Sequence, residues 1–309
     1  MRNRILWGLS LLALSASMLY ASGAVCAKNP GQYKFIVNYG MSFGGESASK
    51  VEALLNSLSG VINKKTGIKI SMLSARDSEE AYEKLKSGEA DFGIIRPMQY
   101  ARAVEEKAPL TPLMNLAINK KQETEICVYA NKKTPVKMEG LRGKNVMLLE
   151  DKEWIYAQQY LADKGIDEKL PDYFSKTLLG DNPQSALYTL VFKKADAAIM
   201  TEMAYIMAVN TDKRFNDISK MECMGKYPVD PLVFRNDFDK QDSEKIVKML
   251  VTAHKDPDFK DVHIYFVSGQ AFFTKVKPDL YKDFRDRVAK AKKNGWLKDF
   301  EKWRKTQGK

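Results

Sequence analysis

The chain has 309 residues, 44% of them hydrophobic, and a net charge of +11 from 50 Lys and Arg against 39 Asp and Glu. Its two histidines, His254 and His263, sit in no metal-binding pattern, with neither CxxC nor HxxxH spacing present, and there is no GxSxG or HExxH, so metal-centred and hydrolytic chemistry find no support. Basic residues are mixed with acids, as in residues 137–144 (KMEGLRGK) and 282–293 (KDFRDRVAKAKK), which argues against a nucleic-acid partner.

The N-terminus reads as a secretory leader. Arg2 and Arg4 precede a mostly apolar run from Ile5 to Tyr20, and Val25-Cys26-Ala27 is a small-residue cleavage site, so a signal peptide over 1–27 is predicted. Two alternatives stay open. Cys26 could be lipidated, although Val25 is a poor residue before a lipidated cysteine. The run from Ile5 to Val25 could also stay as an anchor, since about 20 residues suffice to span a bilayer. Removal of the leader leaves a net charge of +9, which suits recruitment of a small anion.

Residues 34–38 (KFIVN) read as a first strand, followed by a turn from Tyr39 to Gly45 that carries three glycines. Val51, Leu54, Leu55, Leu58, Val61 and Ile62 then form one apolar helical stripe that Gly67 ends. Ile68, Ile70 and Met72 alternate as a strand, and Asp77 or Ser78 caps the next helix. Ala90 to Ile95 is a third strand. This β–α–β–α–β rhythm predicts a largely parallel sheet covered by helices. Residues 109–118, with Pro109 and Pro112, read as irregular.

Glu125 to Ala130 opens a second lobe. It continues through a strand at Asn145 to Leu149, a turn at Glu150 to Glu153 and a helix from Trp154 to Lys164. A short strand at Thr177 to Leu179, a helix from Pro183 and a strand at Ala195 to Met200 follow, and Leu232 to Arg235 reads as extended. From Ser243 onward the chain reads as mostly helical. Trp296, Phe300 and Trp303 form its last apolar stripe, a tail expected to pack on the first lobe.

Residues 81–95 (AYEKLKSGEADFGII) and 186–200 (ALYTLVFKKADAAIM) repeat one helix–turn–strand unit, with Ala81 over Ala186, Leu85 over Leu190, and Ala90-Asp91 over Ala195-Asp196. The repeat predicts an α/β chain of two Rossmann-like lobes with a ligand cleft between them. Residues 28–123 plus 231–309 form lobe 1, residues 124–230 form lobe 2, and the tail is mostly helical. Ligands of open α/β sheets sit at the carboxyl ends of strands, where both units end. Cys127 and Cys223 are left after the leader, either as a disulfide pair or as two buried thiols.

The succession GEADFGIIRP (88–97), LRGKNV (141–146), SALYTLVFKKADAAIMTE (185–202) and PVDPLVFR (228–235) resembles phosphate/phosphonate-type substrate-binding proteins of ABC importers, over roughly residues 34–290. The resemblance implies the type II periplasmic binding protein architecture and a non-enzymatic, cofactor-free periplasmic protein. Such a protein captures a small, phosphorus-oxyanion-like solute and hands it to an ABC permease in the inner membrane, and it is expected to act as a monomer. The alternative is a ligand-presenting sensor or adaptor of the same fold acting on a membrane receptor or kinase. A third reading keeps a degenerate fold for protein contacts.

Candidate ligand contacts follow from the cleft geometry and from the resemblance. Ser42 and Phe43 lie in the glycine turn, where backbone N–H groups can approach an oxyanion closely. Arg96 and Thr201 are equivalent in the repeat. Arg96 suits a charge-assisted contact to an anion, or else a salt bridge with a neighbouring acid. Where the family usually carries a Ser/Thr-rich turn, this chain has Glu150-Asp151-Lys152-Glu153-Trp154, and about where the family often has a His, it has Asn182. Glu202 suits a cationic ligand group or a pair with Lys152, and Tyr39 and Trp154 could either wall the cleft or pack between the lobes. Asp230 matches an acidic position that in phosphonate binders can face a ligand amine, or it serves as a turn residue beside Pro231.

Overall fold

A computed structural model describes residues 31–38, 48–118, 121–260 and 271–307. The predicted leader and the turn holding Tyr39, Ser42 and Phe43 lie outside the described residues.

The first elements are β1 (Gln32–Asn38), α1 (Ala48–Thr66), β2 (Lys69–Ala75), α2 (Ser78–Ser87), β3 (Phe92–Ile94), α3 (Pro97–Glu105) and β4 (Leu110–Ile118). β1 lies between β2 and β3, parallel to both. Leu55, Leu58 and Ile62 of the predicted stripe are buried against this sheet. Asp77 caps α2 by accepting the N–H of Glu80 at 2.8 Å. The central strand can approach its neighbour closely only because residue 93 is glycine: a Cβ there would lie 2.4 Å from Cγ2 and 2.6 Å from the carbonyl oxygen of Ile36.

The chain continues through β5 (Glu123–Asn131), β6 (Asn145–Leu148), α4 (Asp151–Asp163), α5 (Leu170–Tyr173), β7 (Lys176–Leu179), α6 (Pro183–Val191), β8 (Ala197–Thr201), α7 (Glu202–Val209) and β9 (Ile218–Pro228). It then returns through β10 (Pro231–Arg235), α8 (Lys240–Thr252) and β11 (Ala271–Lys275), and ends in α9 (Lys282–Lys293) and α10 (Trp296–Thr306). Two sheets result, ordered β11-β4-β10-β3-β1-β2 and β7-β6-β8-β5-β9. The chain passes from the first to the second between β4 and β5 and returns between β9 and β10. At these crossings the N–H of Val229 donates to the carbonyl of Gln122 at 3.0 Å, which ties the two connections to each other at that point.

Three elements differ from the sequence expectations. Residues 110–118 form a strand between β10 and β11 rather than an irregular stretch. Pro112 is accommodated where the β10 register shifts between Leu232 and Val233, the kind of irregularity at which a sheet tolerates proline. The presumed turn at Glu150 to Glu153 is a helix start, with Glu150 as N-cap and the other three residues in the first turn of α4. The tail also departs from expectation. Trp296, Phe300 and Trp303 bury themselves in the second lobe's core, where the rings of Phe300 and Trp303 lie 5.6 and 5.2 Å from that of Trp154. α4 presents a large aromatic surface there, and the tail's apolar stripe covers it.

Cys127 and Cys223 face each other on β5 and β9, with their sulfurs 2.07 Å apart in a disulfide.

Candidate functional site

The repeat places two matched junctions. β3 runs into α3 with Arg96 as N-cap, and β8 runs into α7 with Thr201 as N-cap. In the second sheet β6 runs into α4 with Glu150 as N-cap. The first and last of these junctions meet. Arg96 Nη1 lies 2.9 Å from Glu150 Oε1, and both side chains are about one-third exposed, at 33% and 30%. This ion pair joins the carboxyl end of a first-sheet strand to that of a second-sheet strand.

Lys152 closes the cluster. Its Nζ bonds the other oxygen of Glu150, lies 3.4 Å from Glu153 Oε1, and sits 5.8 Å from the centre of the Tyr227 ring. Glu153 is fully buried and accepts the N–H of Glu150 at 2.8 Å, which fixes the start of α4. Asp230 stands in the crossing from β9 to β10, within the electrostatic reach of Arg96 and Lys152. Tyr281, from the segment before α9, pins that crossing by donating to the carbonyl of Val229 at 3.0 Å.

Six charged residues therefore gather at one place, four acids and two bases, and burial sets their titration. It pushes the Asp230 carboxyl up to about 7, despite the lowering fields of Arg96 and Lys152. Burial likewise raises Glu153 to about 7, with Lys152 opposing. Glu150 behaves differently: burial would raise it, but the charges of Lys152 and Arg96 hold it below the usual carboxylate range. Burial together with the nearby Glu150 raises Asp151. Arg96 is raised because Glu150 and then Asp230 outweigh its desolvation. The Tyr227 hydroxyl, buried beside these acids, stays protonated far above its ordinary value.

Of the sequence-predicted residues, the structure thus brings together Arg96, Lys152 and Asp230. Asn182 is exposed and caps α6, accepting the N–H of Ser185 at 2.8 Å. Thr201 is buried, and its hydroxyl accepts the N–H of Ala204 at 3.1 Å. Glu202 pairs with Lys220 at 2.8 Å, not with Lys152, because α7 follows β8 and packs on β5, whose ladder partner β9 carries Lys220. Trp154 is wholly buried in the core and forms no wall of a cleft. Sequence reading placed Glu150 in a turn rather than among the contacts, and it passed over Tyr227. The Glu150-x-x-Glu153 spacing is a helix-start signal that could have revealed the first. Tyr227 carries no such pattern.

Residues 44–281 match the family described as ABC transporter, phosphonate, periplasmic substrate-binding protein. The chain belongs to this family. A phosphonate-type substrate-binding protein is non-enzymatic and delivers a small solute to a membrane permease, and the family is periplasmic. Among the described residues, no helix is long and apolar enough to cross a membrane.

The fold of this substrate-binding protein is that of type II periplasmic binding proteins. It is similar to XAC2383 from Xanthomonas citri bound to chloride, at TM-score 0.65 and 13% identity, covering 85% of this chain and 99% of that one. It is similar to PhnD1 from Prochlorococcus marinus in complex with methylphosphonate, at TM-score 0.65 and 13% identity, covering 86% and 100%. The periplasmic aliphatic sulphonate binding protein SsuA from Escherichia coli resembles it at TM-score 0.59 and 12% identity, over 85% and 94%. No curated protein sequence matches the chain.

Proposed function

We propose that this protein captures a small oxyanion-bearing solute, of the phosphonate or phosphate kind, at the junction of its two lobes and passes it to an ABC permease in the inner membrane. The observation that carries this reading is the partly exposed Arg96 guanidinium, set at the end of β3 and facing the N-terminus of α4. A guanidinium offers a planar fork of donors, and a helix start adds free N–H groups and a favourable dipole. Lobe 1 is built on the first sheet and lobe 2 on the second. They close by a hinge where the chain crosses beside Gln122 and at Val229–Asp230, a motion such connections permit. Thr201, Asn182 and the turn holding Tyr39, Ser42 and Phe43 are proposed as further lining, each at or after a strand end.

The test is a thermal-shift and calorimetric screen of purified protein that has been unfolded and refolded to strip bound solute. The panel holds phosphate, phosphite, alkyl- and aminophosphonates, sulfonates, carboxylates and amino acids. Binding to the native state raises the melting temperature. A selective rise with one oxyanion, lost in Arg96→Ala, is expected. A response confined to uncharged or purely cationic solutes, or undiminished in Arg96→Ala, overturns the reading.

A further inference from the structure

The carboxylate of Glu150 already does what an oxyanion would do at this place. One oxygen meets Arg96 Nη1 at 2.9 Å and the other bonds Lys152 Nζ, so a single anion bridges a cation of lobe 1 and a cation of lobe 2. It does so at the N-cap of a thirteen-residue helix, where the dipole favours negative charge. The side chains of Arg96 and Glu150 are about one-third exposed, so the pair is open to solvent and to a solute. The Arg96–Glu150 side of the bridge is the more exposed one, so it is there that another anion can reach the guanidinium. Held ionised by Lys152 and Arg96, Glu150 is itself a repulsive neighbour for any other anion that enters.

We propose that Glu150 is the chain's own occupant of the oxyanion seat, holding Arg96 and Lys152 until a solute oxyanion displaces it, and that it thereby sets the protein's affinity. The proposal rests on the oxyanion reading above. It makes Glu150 a specificity-determining residue: an anion must outcompete a tethered carboxylate, which favours a doubly charged group over a singly charged one.

The experiment compares wild type with Glu150→Gln and Glu150→Ser, using methylphosphonate and inorganic phosphate as probes in isothermal titration calorimetry. Serine is a good N-cap, so the second variant keeps the start of α4 even where glutamine does not. Removal of one like charge a few ångströms from the bound anion is expected to tighten binding about tenfold or more in a folded variant. Wild type that binds, with folded variants that bind equally or more weakly, overturns the proposal and makes Glu150 a support that orients Arg96. Absence of binding in wild type and both variants removes the oxyanion reading itself, and this proposal with it.

Discussion

Asp91 and Asp196 make the same pair of backbone bonds in the two lobes. Asp91 accepts the N–H of Lys34 at 2.7 Å and donates its own N–H to the carbonyl of Lys34 at 2.9 Å. Asp196 accepts the N–H of Asn145 at 2.9 Å and donates to the carbonyl of Asn145 at 2.8 Å. Lys34 lies on β1 and Asn145 opens β6, the strands that β3 and β8 enter beside. The residue before each aspartate matches too: Ala90 donates to Lys84, and Ala195 donates to Thr189, six residues back in both cases. The repeated Ala-Asp is therefore a clamp that sets strand register, and it lies at the opposite end of each strand from Arg96 and Thr201.

Replacing either clamp with alanine leaves a strand N–H without its carboxylate. The cost is about 1–3 kcal/mol where the site is buried, and less where water can substitute. Asp91 is buried and Asp196 exposed, so Asp91→Ala is expected to destabilise more than Asp196→Ala. Urea unfolding of the two variants checks the order, and equal losses would deny the role of burial.

The raised carboxyls give a pH dependence of definite sign. Asp230 and Glu153 bind protons more tightly in the folded state, near 7, than their ordinary 3.8 and 4.5 allow. Between those limits the native state holds more protons than the unfolded chain. Their contribution is thus fully present below about 4 and is lost as pH rises through 7. Asp230→Asn should flatten the fall in melting temperature between pH 5 and pH 8. The same fall in the variant as in wild type would assign the dependence elsewhere.

Trp154 is core. Trp154→Ala should cost about 3–5 kcal/mol, the range for deleting a large buried aromatic, because Phe300 and Trp303 lose their packing partner. Solute affinity of the protein that remains folded should stay near wild type. A large affinity loss without destabilisation would return Trp154 to the cleft.

The Cys127–Cys223 bond spans a sequence separation of 96 residues. Reduction, or replacement of both cysteines by serine, is expected to lower stability by about 2–5 kcal/mol, chiefly through the freer unfolded chain. Denaturation with and without reductant measures this, and coincident curves would mean that the bond adds nothing.

The chain's local patterns determined much by themselves. The stripe from Leu55 to Ile62, the cap at Asp77 and the two Ala-Asp units marked their elements because periodicity and capping act over a few residues, within one helix or strand. The repeat also exposed two related sheets, and the order of motifs exposed the family. Tertiary structure decided the rest. Pro112 could enter a central strand only because the β10 register shifts beside it. The last aromatic stripe chose α4 over the first lobe because Trp154 was there to be covered. Arg96 and Glu150 lie far apart in sequence, in segments with no shared pattern. Their pairing arises only where two sheets set the ends of β3 and β6 face to face. Charge complementarity across a cleft leaves no period in a sequence, and for that reason the residue that holds Arg96 could be named only once the chain was folded.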